Sequence, residues 1–236
     1  MSNILNLPQV QAQLSYELPK EQTVLVIGGQ APEENWLKEV TKNRNLWCAD
    51  HGIDVCMRAN CVPHQLVGDA DSATPTGWQW AIDKGSLITK LPVEKDVTDT
   101  QLALQMIVAE YKSSAIILTG AWGGRFDHTF SNIFSLKGFF KENICGCVAD
   151  QKEVLFFLRD DEHLTLRFTN QPKAISLLPL SGECIGVSIN GVHWPLDQVM
   201  LNNNLPYAVS NEVGSKENTI WVSQKKGLLG VYLYWE

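Results

Sequence analysis

No run of eighteen apolar residues occurs in this sequence, so a membrane-spanning helix is not expected. Residues 1–20 mix Asn, Gln, Glu and Pro with scattered Leu and lack a basic start followed by an apolar block, which argues against a secretory signal. Cysteine is sparse: six residues at positions 48, 56, 61, 145, 147 and 184, with no Cys-x-x-Cys pair. That spacing suggests neither a zinc site nor a disulfide framework, and it fits free thiols in a reducing cytoplasm. Basic residues are outnumbered, 19 Lys and Arg against 26 Asp and Glu, giving a net charge of −7. A nucleic-acid partner, which needs a basic face, is not expected. The Gly-Lys-Ser/Thr of a Walker A loop is also missing, as are repeats, low-complexity tracts and long linkers.

What remains is a chain of 236 residues, 44% hydrophobic, long enough for one large or two smaller domains with a real core. Its first part alternates short apolar runs with helical patterns. Residues 23–27, 46–49, 65–67, 86–89 and 115–119 read as strands, and 32–42 as a helix. From about Val154 the pattern changes to short strands separated by turn residues: 155–158, 164–168, 174–178, 183–189, 207–210, 219–222 and 228–234. The expected class is α/β: a mostly parallel α/β sheet domain over residues 1–155, then an antiparallel β-sandwich domain over 156–236.

Three acidic clusters fall where strands give way to loops or helices: Ala49-Asp50-His51-Gly52, Gly68-Asp69-Ala70-Asp71-Ser72 and Lys95-Asp96-Val97-Thr98-Asp99. Open α/β sheets bind ligands beyond the carboxyl ends of their strands, so these segments are expected to meet. Grouped carboxylates repel one another unless a cation sits among them, and a hard divalent ion commonly carries nucleotide phosphates with it. Asp69 and Asp71, at i and i+2 of an extended segment, point the same way and can share one metal. Ser72 can cap the next helical turn. Thr98 and Gln101 form a capping box ahead of an amphipathic helix. Asp96 and Asp99 therefore have two readings, as helix N-terminal acids or, for Asp99, as a metal ligand, with Lys95 available to a phosphate.

The segment Gly120-Ala-Trp-Gly-Gly-Arg125-Phe-Asp127-His128 follows a strand and opens a helix. Its glycines allow close backbone approach, and helix N-terminal amides favour anions. Arg125, His128 and Asn132 share one helix face, with Arg125 as a phosphate clamp. Phe126, Phe130 and Ile133 should be core. In the β half, Trp194 beside Pro195 is a candidate for stacking on an aromatic or cationic ring.

In this order the segments resemble the thiamine pyrophosphokinase family: ADHG (49–52), GDADS (68–72), KDVTD (95–99), GAWGGRFDH (120–128) with Asn132, GVHWPL (191–196) and VSNEV (209–213). The resemblance implies a Mg²⁺-dependent enzyme that moves a diphosphate group from ATP to thiamine and releases AMP. It also implies a homodimer with the thiamine site across the subunit interface. On matching positions, Asp50, Asp69, Asp71 and Asp99 form the metal set, and Asp71, Asp99 and Arg125 the catalytic set. Asp50, Lys95, Asp96, Arg125, His128 and Asn132 face the nucleotide, and Trp194, Ser210 and Asn211 face thiamine. Two positions depart from the family pattern: His51 stands where glycine is usual, and Ala70 where a larger residue is usual. The competing readings are a Mg-dependent phosphotransferase acting on another alcohol and a non-catalytic thiamine-binding protein.

Overall fold

The computed structural model describes residues 2–69, 71–90, 96–141, 144–215 and 217–236. The chain forms two compact units: Pro19–Asp150, and Gln151–Glu236 together with the residues up to Leu18. The N-terminal segment thus belongs with the C-terminal unit, whereas the sequence placed it in the first domain. Two short strands, β1 (Ile4–Asn6) and β2 (Val10–Leu14), pair antiparallel, and β2 then pairs with His163–Phe168. β2 buries Val10, Ala12 and Leu14 on one side and turns two Gln outward. Five residues with so mild an alternation give little signal without the partner strand.

The Pro19–Asp150 unit runs β3 (Gln22–Val26), α1 (Glu34–Val40), β4 (Asn45–Ala49), α2 (Gly52–Ala59), β5 (Gln65–Gly68), α3 (Pro75–Asp83), β6 (Leu87–Lys90), α4 (Asp99–Tyr111), β7 (Ser114–Thr119), α5 (Phe126–Gly138) and β8 (Ile144–Ala149). Its strands lie in the order β8-β7-β3-β4-β5-β6, all parallel. β7 is buried at every position and β3 at all but its first, as continuous apolar runs require when helices cover both faces. The chain adds β4 to β6 on one side of β3 and then crosses to β7 on the other. The strand order therefore reverses between β3 and β7, which opens a crevice at their carboxyl ends.

Helix starts follow from the sequence. Thr98 accepts the Gln101 N–H at 3.2 Å while the Gln101 side chain accepts the Thr98 N–H at 3.0 Å, so the expected capping box forms at α4. At α3, Thr74 accepts the Gly77 N–H and Pro75 takes the first helical position. Helix α5 differs from expectation. Phe126 and Phe130 are 80% and 51% exposed, because the helix buries Ser135 and Leu136 instead. The two rings form a ladder with Phe134, at centroid separations of 6.1 and 4.4 Å.

The second unit adds β9 (Glu153–Leu158), β10 (His163–Phe168), β11 (Ala174–Pro179), β12 (Glu183–Asn190), β13 (Leu196–Asn202), β14 (Thr219–Ser223) and β15 (Leu229–Tyr234). One antiparallel sheet has the order β1-β2-β10-β14-β12-β13; the remaining strands pair as β11-β15-β9, also antiparallel. The sequence missed β13, an edge strand that buries only Leu201. Residues 207–210, expected as a strand, are irregular: Ser210 takes a left-handed φ of 58°, which ends any extended run. Among the described residues no helix is long and apolar enough to cross a membrane. The six cysteines are free thiols, and all but Cys61 are buried.

Candidate active site

Strand β4 ends at Ala49 and presents Asp50 with φ 47°, a left-handed conformation that Asp tolerates better than most side chains. The Asp50 N–H donates to the Val67 carbonyl at 2.9 Å, and the Ser72 hydroxyl donates to Asp50 Oδ2. Asp50 Oδ1 is buried and has no hydrogen-bond partner among the described residues. Asp69 follows β5, and Asp99 opens α4. Carboxylate oxygens of Asp50, Asp69 and Asp99 lie within 4.8 Å of one another. Three carboxylates so close raise one another's energy, and a cation at their centre would relieve both the repulsion and the unpaired Asp50 oxygen. An all-oxygen donor set suits a hard divalent ion.

Asp71 is not in that group. Its N–H donates to Asp69 Oδ1 at 3.1 Å. Its exposed carboxyl is held above the ordinary aspartate range, first by a hydrogen bond shared with Asp69, then by desolvation and by the charges of Asp69, Asp50 and Asp99. Asp96 is exposed and does not line the cleft described next, and Lys95 lies outside the described residues. Ser72 does not cap a helix as expected. Thr74 does so, leaving Ser72 for Asp50.

The crevice between β3 and β7 is a cleft of about 1090 Å³. Its floor joins two loops: the Gly29 N–H donates to the Gly120 carbonyl and the Gln30 N–H to the Trp122 carbonyl, both at 2.7 Å. Gly123 and Gly124 have φ of 71° and 68°, values a side chain would disfavour, and they carry the chain round into α5. Arg125, His128 and Asn132 line the cleft, as do Asp50 and Asp99. Arg125 is not waiting unpaired. Its Nε and Nη2 meet the Asp127 carboxylate at 3.1 and 2.5 Å, which raises the guanidinium pKa and lowers that of Asp127. The Arg-x-Asp spacing was the available sign of this pair, and a phosphate arriving there would share or replace Asp127.

The C-terminal unit holds a second, smaller recess of about 140 Å³, lined by Ile175, Leu177, Ile189, Leu196, Tyr207 and Trp194 among others. Trp194 is 57% exposed at its rim. Asn211 also lines the recess, yet its polar atoms are occupied. Oδ1 accepts the Trp194 and Glu212 N–H groups, and Nδ2 donates to the Trp194 carbonyl at 2.8 Å. Asn211 therefore fixes Trp194. Ser210 stands outside the lining, its N–H donating to Ser176 Oγ at 3.1 Å. Tyr207 was not anticipated; its ring is half exposed beside Ala208 and Val209.

Comparison with known families gives a match in each unit. Residues 37–148 match the catalytic domain of thiamin pyrophosphokinase, and residues 163–229 match its vitamin B1 binding domain. The chain belongs to the thiamine pyrophosphokinase family. It is 27% identical over 206 residues to thiamine pyrophosphokinase from Bacillus subtilis, covering 87% of this chain and 94% of the relative. The crystal structure of a Bacillus subtilis thiamine pyrophosphokinase superposes with a TM-score of 0.80 at 21% identity, over 92% of this chain and all of the other. Thiamin pyrophosphokinase from Candida albicans gives 0.78 at 17% identity, over 91% and 89% of the two chains. At such identities these structures show a common fold. Within the segment that matches the catalytic domain, His51 lines the cleft directly beside Asp50.

Proposed function

We infer that the chain is a thiamine diphosphokinase, transferring the diphosphate group of ATP to the hydroxyethyl oxygen of thiamine to give thiamine diphosphate and AMP. The observation that carries this reading is the pairing, in one chain of this family, of a tri-carboxylate cleft with a tryptophan-rimmed apolar recess. The cleft suits a metal-bound triphosphate, and the recess suits a flat aromatic cation.

Asp50, Asp69 and Asp99 would hold a Mg²⁺ ion, which would supply charge neutralisation at the phosphate oxygens. The protein does the rest by positioning. The N-terminal amides of α5 and the Arg125 guanidinium orient the phosphate chain, with His128 and Asn132 along the same helix face. Asp50 and Asn132 flank the nucleotide. The thiamine oxygen attacks the β-phosphorus, the bond from that phosphorus to the α,β-bridging oxygen breaks, and AMP leaves with that oxygen. Asp71, outside the tri-carboxylate group, accepts the hydroxyl proton; Asp99 is committed to the metal. Trp194 stacks on the thiamine cation, Asn211 holds Trp194 in place, and Ser210 shapes the loop around it.

The recess of about 140 Å³ is smaller than a complete small-molecule site of roughly 300 Å³ or more, and it is open beside exposed Trp194, Tyr207 and Val209. A homodimer that closes it with a second copy fits these facts. A cytoplasmic enzyme is the reading that six free thiols support. AMP formation from ATP is the decisive assay. It should require both thiamine and Mg²⁺, and a folded protein that makes no AMP would refute the reading. ATP turnover with other alcohols but not thiamine would point to a different phosphotransferase.

A further inference from the structure

The structure gives His51 a prepared seat beside the carboxylate group. A β-carbon at position 28 would stand 3.0 Å from His51 Cβ, so the residue packs on bare backbone that only Gly28 leaves open. On its other side Nδ1 lies 3.0 Å from Asp54 Oδ2. That oxygen sits off the ring N–H direction, so the contact is electrostatic rather than a straight hydrogen bond. Asp54 is itself anchored. It is 2% exposed, takes the Thr74 N–H at 2.9 Å, and also accepts the Thr74 hydroxyl. The imidazole is therefore held on two sides, and Nε2 has no hydrogen-bond partner among the described residues. The residue lines the nucleotide cleft and its side chain is 42% exposed.

Its place in the sheet points to a ligand group. β3 is the strand before the glycine turn, β4 is its parallel neighbour, and His51 stands just past the end of β4, roughly 20 residues beyond that turn. In dinucleotide-binding sheets of this class an acidic side chain about 20 residues past the glycine turn meets the ribose; Asp50 and His51 hold that stretch here, and with Asp50 in the carboxylate group His51 is, by analogy, the side chain left for a ribose hydroxyl. The chemistry agrees. A ribose hydroxyl both donates and accepts, so it can pair with Nε2 in either tautomer of the ring; a phosphate oxygen only accepts, so it needs Nε2 to carry the proton.

We propose that His51, seated on Gly28 and steadied by buried Asp54, is a nucleotide-positioning residue that hydrogen-bonds a ribose hydroxyl of ATP. The proposal rests on the diphosphokinase reading and gives this chain a ribose contact that a glycine at position 51 cannot make. Calorimetry on the full chain with Mg²⁺ would compare ATP, 2′-deoxy-ATP and 3′-deoxy-ATP, for the wild type and for His51→Gly, His51→Ala and His51→Gln. The wild type should bind ATP about tenfold tighter than at least one deoxy analogue. The preference should fall to about one in His51→Gly and His51→Ala and return in part in His51→Gln, with the thiamine KM unchanged throughout. Equal weakening of all three nucleotides, or no ribose preference in the wild type, would overturn it. A wild type that forms no AMP would sink the catalytic reading instead, and the binding ratios would still judge His51.

Discussion

The two sites of this chain are built on opposite principles. The cleft of the α/β unit keeps its tension: three carboxylates within 4.8 Å, a buried Asp50 oxygen with no partner among the described residues, and Asp50 in a left-handed backbone conformation. The recess of the β unit resolves its own polar groups, since Asn211 ties both backbone groups of Trp194. Strain persists at a site when a ligand is what relieves it, whereas an apolar surface needs only to be held open. Substitutions should therefore separate function from stability in the cleft and join them in the recess.

The largest effect is expected from removing a cluster carboxylate. Asp69→Asn and Asp99→Asn should each lower kcat by about 10²–10³-fold, the size of losing one preorganised electrostatic contact to developing charge. Thermal stability without metal should hold or rise, because a repulsion is removed. Mg²⁺ should raise the Tm of the wild type and much less that of the variants, since a ligand stabilises only the state that binds it. A variant that loses activity and Tm together, without any loss of metal response, would erase the contrast between the two sites.

Much of the cleft is legible in the sequence, because strand order in a parallel sheet turns local spacing into spatial proximity. Asp50, Asp69 and Asp99 lie just beyond strand ends or at a helix start, and a capping box marks α4 from four residues alone. Contacts that depend on distant segments were not legible. β1 and β2 join the C-terminal unit through pairing with β10, residues more than 140 positions away. Asp71 shares its motif with Asp69, yet its carboxyl pairs with Asp69 at the edge of the cluster rather than joining it, a difference that spacing alone does not show. Phe126 and Phe130 have helical core spacing but pack against each other, tilted, at the surface, and no periodicity separates those outcomes.

In the recess, Trp194→Ala should raise the thiamine KM about tenfold, the worth of one desolvated cation–aromatic contact, and leave the ATP KM unchanged. Equal rises in both would detach Trp194 from thiamine. Asn211→Ala acts one step removed. It frees the Trp194 backbone, so the thiamine KM should rise by roughly threefold to fivefold, with a lower Tm from the lost hydrogen bonds. In the double variant with Trp194→Ala the Asn211 effect on KM should vanish, because its route to thiamine is through that ring. Additive effects would mean that Asn211 meets the substrate itself.

The smallest effect tests the tension of the cleft without any ligand. The Asp71 carboxyl is held above the ordinary aspartate value of 3.8, chiefly through Asp69. A carboxyl whose pKa is higher folded than unfolded favours folding when protonated, and that contribution is lost as the pH rises through the folded-state pKa. At pH 7 the ionised side chain thus opposes folding slightly, so Asp71→Asn should melt higher than the wild type in metal-free buffer. The group is exposed, so the gap should stay within about 2 °C. It should close as the pH falls toward the ordinary aspartate range, where the wild-type carboxyl takes up its proton. The titration belongs to the Asp69–Asp71 pair, so Asp69→Asn should remove the same pH dependence. Melting curves between pH 4 and 7 would decide it: a gap that widens on acidification would mean that Asp71 is stabilised by its charge, and the cleft would then resemble the recess after all.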